Sequence, residues 1–385
     1  MYAALSDELS SAVVVIFILI NPQSRPMPLY MDFHKFHNKV TLDDVKSAHT
    51  ADESIQEKYG VRYHQYWVNE KDGTVFCLVE GPDAQTCELV HQIAHGNLAC
   101  AMTEVEPGSF TLFMGDKLTV DHGLTRTENG QVDDGYRFVL VASLRAIAGA
   151  KIPGGLQVAP DTKNEVTNCI KAHRGRTMKG ETDDTFIGVF NDAEDAIACG
   201  EAIRKGLHKK HKPDVVFRIG ISADQPLDHD GKFFSKAIRI GQRLCSTAND
   251  NKILVSALAG RLAASRKSSD HIRFLDPSEE EFVCDLLGTT DNNLAQKNFN
   301  VATICRDIGI SRPQLYRRMT SLTGRAPNDF LRDLRLDRAL GLLRQRTKTI
   351  SQVALEVGYS NPSYFSKCFA ERFGCLPSEV FMVQR

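Results

Sequence analysis

One pattern occurs twice near the C-terminal end of the chain, and it leaves that region little freedom in how to fold. Val301–Ile308 reads as a short helix with small Cys305 where a second helix can cross it, Gly309 reverses the chain, and Ser311 caps a helix that runs to Thr323. About fifty residues on, Ile350–Val357 repeats the short helix with Ala354 at the crossing, Gly358 the reversal, and Ser360 the cap of a helix over Pro362–Phe373. Between the two, Pro327–Leu343 places Phe330, Leu331, Leu334 and the later leucines on one apolar face with Arg and Asp outside, a helix that holds both units at a fixed separation. Leu315, Met319, Phe365 and Phe369 fall on the inner faces of the second helices.

Charge supports a polyanionic partner for this region once it is counted locally. The whole chain, at 47 Lys/Arg against 48 Asp/Glu, is nearly neutral, but from Asp291 to Arg385 there are 15 against 8 and the preceding 290 residues carry 32 against 40. A basic module therefore follows acidic ones. The stretch containing Arg318-Met319, Ala326-Pro327, Leu334-Arg335-Leu336, Arg338-Ala339, Val353-Ala354, Val357-Gly358-Tyr359, Ser363-Tyr364-Phe365-Ser366, Phe373-Gly374 and Pro377 resembles the DNA-binding domain of the AraC/XylS transcription regulators. The resemblance implies double-stranded promoter DNA as partner and RNA polymerase as a possible second one; a homodimer is expected through the N-terminal domains, and activator and repressor both stay open. By motif position it exposes Arg312, Pro313, Tyr316 and Arg317 on the first reading helix and Asn361, Pro362, Ser363, Ser366 and Lys367 on the second, with base edges and phosphates as their targets.

A chain of 385 residues has room for two to four domains. Upstream of the basic module the order reads strand (Leu29–Phe33), helix (Thr41–Tyr59), strand (Val61–Val68), strand (Thr74–Glu80), helix (Ala84–His95), strand (Ala101–Val105), the β-α-β-β-α-β ferredoxin-like plan. Six of the 12 histidines lie between His34 and His95, and His91 and His95 share a helix face at i, i+4. Imidazoles so spaced suit nickel, zinc, copper or iron, or else line a polar surface. Tyr30-Met31-Asp32-Phe33-His34, Ala48-His49 with Asp52, Tyr59-Gly60-Val61, Tyr66-Trp67-Val68, Gly73 to Val79 and Val90-His91 with His95-Gly96 resemble a family of small ferredoxin-like proteins, some of which bind nickel at a dimer interface. That resemblance makes His34, His49, His91 and His95 the ligand pool for nickel or another transition metal, with Cys77 as a soft ligand.

Between these parts, a second alternating unit carries Gly175-Arg176-Thr177-Met178-Lys179, Phe186 to Phe190, Ala193 to Ala196, Arg218 to Ile221, Arg243-Leu244 and Ile253 to Ser256, and it resembles the class III nucleotidyl cyclase domain. Two-metal chemistry there wants two carboxylates. Asp183 matches one, but Ser143 stands where the other belongs, Arg239 replaces the Asn of the helix and Thr182 a Gly. Catalysis is therefore not expected, while Lys179, Asp183, Arg239 and Arg243 form a possible cleft for an anionic or nucleotide ligand.

The fold expected is thus multidomain α+β: two ferredoxin-like domains, then an all-α tandem helix-turn-helix domain. The boundaries are 27–113 for the metal-binding-type domain, 114–135 for a linker, 136–266 for the cyclase-like domain, 267–290 for a second linker and 291–385 for the DNA-binding domain. Residues 1–26 read as an extension upstream of a start at Met27. Their apolar run Ala12–Ile20 is half the roughly 20 residues a membrane span needs. Ten cysteines with no C-x-x-C pair suit reduced thiols in the cytoplasm. The function expected is a DNA-binding regulator with sensory N-terminal domains. An active cyclase fused to a DNA-binding domain, or a metal-buffering protein that regulates its own gene, are the alternatives.

Overall fold

A computed structural model of the chain describes residues 27–115, 119–146, 158–180, 182, 184–209, 215–227, 232–266, 268–296 and 298–382. The expected extension 1–26 and Asp183 lie outside the described residues. The rest forms two compact units, the second of which holds the whole C-terminal helical region.

In the first unit β1 (Leu29–Lys35), α1 (Leu42–Ile55), β2 (Arg62–Asn69), β3 (Thr74–Glu80), α2 (Ala84–Ala94) and β4 (Ala101–Glu104) follow the expected alternation. Thr41 and Asp44 close a reciprocal capping box at the start of α1, and Gly60 takes φ +64 after the short 3-10 turn that follows the helix. β4, β1, β3 and β2 lie side by side as antiparallel neighbours. The register of β2 against β3 slips between Tyr63 and Gln65, so Tyr63 opposite Val79 and Tyr66 opposite Cys77 point to the same face.

The segment expected as the first linker, 114–135, contains two short strands. After α3 (Pro107–Met114), the three-residue strands β5 (Thr119–Asp121) and β6 (Leu124–Arg126) extend the sheet, with β6 parallel to β2 at Tyr66 and Leu124 buried beside Tyr66 and Val68. Strands this short carry no alternation to read, so only the tertiary pairing defines them.

The second unit is built on a sheet of β12 (Ile272–Phe274), β11 (Lys252–Val255), β10 (Val215–Asp224), β7 (Arg137–Ala146), β9 (Thr185–Phe190) and β8 (Arg176–Lys179), in that order. One face, with Phe138, Leu140, Ala142, Phe217, Ile219 and Ile221, packs under α4 (Pro160–Ala172) and α5 (Ala193–Lys209). The other receives α6 (Ser235–Thr247), which approaches so closely that a Cβ on Gly220 would lie 2.2 Å from the carbonyl oxygen of Gly241. After α7 (Ala257–Leu262), the segment expected as a second linker instead holds β12 and most of α8 (Pro277–Asn293). Its acidic residues, which suggest a solvated tether, open a helix: Asp276 and Glu279 form a capping box and Glu279 and Glu280 occupy the positive end of the helix dipole.

The C-terminal helices are α9 (Val301–Asp307), α10 (Arg312–Thr323), α11 (Pro327–Gln345), α12 (Ile350–Glu356), α13 (Pro362–Phe373) and α14 (Pro377–Met382). Gly309 and Gly358 make the two reversals at φ +70 and +87. α10 and α13 each have 12 residues, a proline in the first turn, and a left-handed glycine, Gly324 or Gly374, at the end. The cap of α13 is Asn361, not Ser360: its Oδ1 accepts the backbone N–H of Ser363 and Tyr364. Pro362 at the first helical position leaves the residue before it as the cap. No helix among the described residues is long and apolar enough to cross a membrane.

The contact between β10 and α6 gives a direct test. Gly220→Ala drives a methyl into helix backbone and is expected to destabilise the second unit by about 1–3 kcal/mol, read as a lower urea midpoint. An unchanged midpoint would show that this approach is not tight.

Candidate metal centre and nucleic-acid interface

Strand alternation and helix spacing converge on one pocket of the first unit. The period of two puts Asp32 and His34 of β1 on the helix-covered face, and Cys77 of β3 joins them. From α1 come His49 and Asp52, and from α2 come His91 and, as its C-cap, His95. The ligand atoms of Asp32, His34, Cys77 and His91, all buried, lie within 4.8 Å of one another, and those of Asp52, His91 and His95 form an overlapping set.

His91 links the two sets. Its Nε2 is 2.7 Å from Asp32 Oδ2 and its Nδ1 is 3.0 Å from Asp52 Oδ2, while His95 Nε2 lies 3.2 Å from the same Asp52 oxygen. Burial alone favours a neutral imidazole, but the two carboxylates outweigh it and push His91 up to about 10. Burial likewise works against the Asp32 carboxylate, yet His34 and His91 hold it well below the usual carboxylate range. Asp32 also accepts the backbone N–H of Cys77 through Oδ1 at 2.7 Å, which fixes the carboxylate to β3. Burial and Asp32 raise the Cys77 thiol.

His49 lines the same cavity as His34, Cys77, His91 and His95 but belongs to neither close set. Both of its ring nitrogens, and Asp52 Oδ1, are buried without a hydrogen-bond partner. Gly123 presses on it: at φ +80, a Cβ there would sit 2.3 Å from His49 Nε2. Imidazoles, a thiol and carboxylates, with His49 and Asp52 Oδ1 left unpartnered, make a donor set that fits a borderline-soft transition-metal ion. Asp32 and Asp52 are missing from the ligand pool read from the sequence. The signal for Asp32 was its i, i+2 relation to His34 on one strand; for Asp52 it was the i, i+3 relation to His49.

On the C-terminal helices, Leu315, Met319, Phe365 and Phe369 are buried, which turns the opposite faces outward. Arg312, Pro313, Tyr316, Arg317, Asn361, Pro362, Ser363 and Lys367 are exposed. Ser366 is half-buried and bonds the carbonyl of Pro362, and the Asn361 side chain is engaged in its cap. Tyr364, 57% exposed at the start of α13, was not singled out from the sequence although it lies within the motif.

The expected ligand cleft is only partly assembled. Arg239 and Arg243 line one cavity with Ser143 and Thr185, while Lys179 is exposed on the edge strand β8 and does not border it. Asp184 is bound by Lys163 at 3.0 Å and by Arg344 of α11 at 2.8 Å.

Two family models match the chain: a helix-turn-helix domain over residues 304–382 and the nickel responsive protein SCO4226-like family over residues 30–105. Among curated relatives, histidine kinase P4 of Formosa agariphila is 33% identical over 126 residues, 31% of this chain and 9% of that protein. The HTH-type transcriptional activator RhaR of Mannheimia succiniciproducens is 32% identical over 88 residues, 23% of this chain and 32% of that protein. The chain thus spans less than half the length of either. The crystal structure of SCO4226 from Streptomyces coelicolor A3(2) is similar at 35% identity, over 20% of this chain and 94% of that one, with a TM-score of 0.19. The C-terminal region is an AraC-type helix-turn-helix domain, and residues 30–105 form a SCO4226-like domain.

Removing His91 leaves Asp32 and Asp52 facing each other without their shared cation. His91→Ala is therefore expected to destabilise the metal-free first unit by about 3–5 kcal/mol, measured by urea denaturation. A change within the error of the melt would mean that the two carboxylates are held by other partners.

Proposed function

We propose, from an AraC-type domain at one end and a SCO4226-like domain at the other, that this chain is a sequence-specific transcription regulator that senses a transition metal. The observation that carries the reading is the coexistence of two outward-facing, capped helices on one central helix with a buried cluster of ligating side chains in the N-terminal unit. Double-stranded promoter DNA is the partner, with α10 and α13 entering neighbouring major-groove segments. Arg312, Tyr316 and Arg317, then Ser363 and Lys367, are the residues assigned to bases and phosphates, and Pro313 and Pro362 to apolar contact. Ser366 and Asn361 act chiefly by holding α13 in shape. RNA polymerase is the second partner, the regulator works as a homodimer, and its compartment is the cytoplasm.

His34, Cys77, His91 and His95 would hold the ion, nickel being the family's precedent, with His49 and the carboxylates of Asp32 and Asp52 close by. Bound there, the ion supplies positive charge and a cross-link between the sheet and its helices. To serve as a ligand, His91 would release a proton and its contacts to Asp32 and Asp52, which join β1, α1 and α2.

Both sheets are read as ferredoxin-like, the first extended by β5 and β6 and the second by β11 and β12. The second is read as a cyclase-like scaffold without activity, since Ser143 offers no carboxylate and Arg239 no amide, and Arg239 and Arg243 remain as its anion-facing residues. The domain plan becomes 27–135 for the metal-sensing part, 136–276 for the scaffold and 277–385 for the DNA-binding part with its leading helix.

Two titrations of the full chain test this. On DNA fragments selected by the protein from a random pool, Arg317→Ala is expected to weaken site-specific binding by about 1–3 kcal/mol in a gel shift; equal affinity would remove Arg317 from the reading surface. Added nickel is expected to change the affinity of the unmodified chain for the same fragments and to leave His91→Ala/His95→Ala unaffected. Metal uptake with no change in DNA affinity would favour a buffer that regulates its own gene, and no uptake would end the metal reading.

A further inference from the structure

A second cluster of ligating atoms is built into the other unit, from residues other than the cyclase-type positions Asp183 and Ser143. α4 and α5 lie together on the apolar face of the sheet. Cys169 on α4 and His173, the C-cap of that helix, are four residues apart and share a face. Cys199 of α5 meets them there, and the ligand atoms of the three residues lie within 4.8 Å of one another. Cys169 Sγ is 3.8 Å from His173 Nδ1 and 3.8 Å from the carbonyl oxygen of Cys199.

The surroundings suit an ion better than they suit simple packing. Cys199 is fully buried against the apolar core, whereas Cys169 and His173 are half-buried, so the cluster has a dry inner wall and an outer side open to solvent. His173 Nδ1 lies 2.8 Å from the carbonyl oxygen of Cys169. The ring nitrogen nearest the Cys169 sulfur is thus also held by that carbonyl, a contact that an ion taken at Nδ1 would displace. Two sulfurs and one imidazole nitrogen select thiophilic ions over oxygen-seeking ones such as magnesium or calcium. Tetrahedral zinc places such donors roughly 3.5–3.8 Å apart, and Cys169 Sγ and His173 Nδ1 already stand 3.8 Å apart.

We propose that Cys169, His173 and Cys199 form a second metal site that binds one zinc-type ion with solvent in the fourth position, unlike the imidazole- and carboxylate-rich N-terminal cluster. The site stands independently of whether the N-terminal unit binds nickel.

The test uses the full-length chain, kept reduced by a phosphine, in competition with a chromophoric zinc chelator. The unmodified protein is expected to take up one equivalent of zinc more than Cys169→Ser and one more than His173→Gln. Both changes lie at half-buried positions, and thermal melts of the metal-free proteins verify that each variant folds. Zinc is also expected to slow alkylation of Cys169 by at least about tenfold in the unmodified chain and not in His173→Gln, because a coordinated thiolate is withdrawn from attack. Equal zinc stoichiometry in all three proteins overturns the site. So does a loss confined to Cys169→Ser, which removes the imidazole from the ligand set.

Discussion

A single apolar cluster passes from the second sheet into the DNA-binding helices, and the arrangement of the C-terminal half depends on it. Ile240, Leu244 and Ala248 of α6 and its end, Phe282, Val283, Leu286 and Leu287 of α8, and Leu315, Met319, Leu322, Phe330 and Leu331 of α10 and α11 are buried together. Each such side chain contributes about 1.5–3 kcal/mol when taken out of water, so the first helix-turn-helix cannot leave the sheet without exposing a core. Arg318 of α10 adds a cation over the ring of Phe282 at 4.7 Å and a bond to Ser278 at 2.6 Å. Arg325 donates to the carbonyl of Thr247 at the end of α6.

The second helix-turn-helix is held differently. Its core, Leu336, Leu340, Leu343, Val353, Phe365, Phe369 and Phe373, is its own. Its tie to the sheet is ionic: Arg372 of α13 grips both oxygens of Asp337 at 2.8 Å, and Asp337 Oδ2 also lies 3.3 Å from Arg218 of β10, which is 2.8 Å from Asp250. Arg145 of β7 completes the chain at 3.0 Å from Asp250. An apolar joint on one side and a mostly buried ionic one on the other anchor the two reading helices by different physics, the first by area removed from water and the second by paired charges that depend on each partner staying in place.

What the sequence disclosed, and what it withheld, divides along the range of the interactions involved. The capped helix of Ser311, the reversals at Gly309 and Gly358, the inner faces of Leu315 and Phe365 and the capping box of Thr41 and Asp44 are decided by neighbours within a few residues, and each is readable as such. The sites that escaped depend on distant partners. Leu124 is a strand residue only because Tyr66 is beside it, and Tyr63 and Tyr66 share a face only because the register of β2 slips between them. Glu279 and Glu280 looked like a solvated tether because their helix is recognised from the core it covers. The histidines of the N-terminal pocket were legible from spacing, and Asp32 and Asp52 from their spacing to His34 and His49, but the contacts through which they set the charge of His91 exist only when β1, α1 and α2 are brought together.

The proline and glycine that bracket α10 and α13 have a consequence for how recognition can change over time. Both helices are 12 residues long, or about 18 Å at 1.5 Å per residue, and neither end is free to move. Proline in the first turn cannot donate to a preceding turn, and a left-handed glycine ends the helix by reversing its backbone. Lengthening either probe by a turn would need both stops rewritten at once. New target sequences are therefore reached by exchanging the outward side chains on two probes of constant gauge, as bits are changed in a fixed handle.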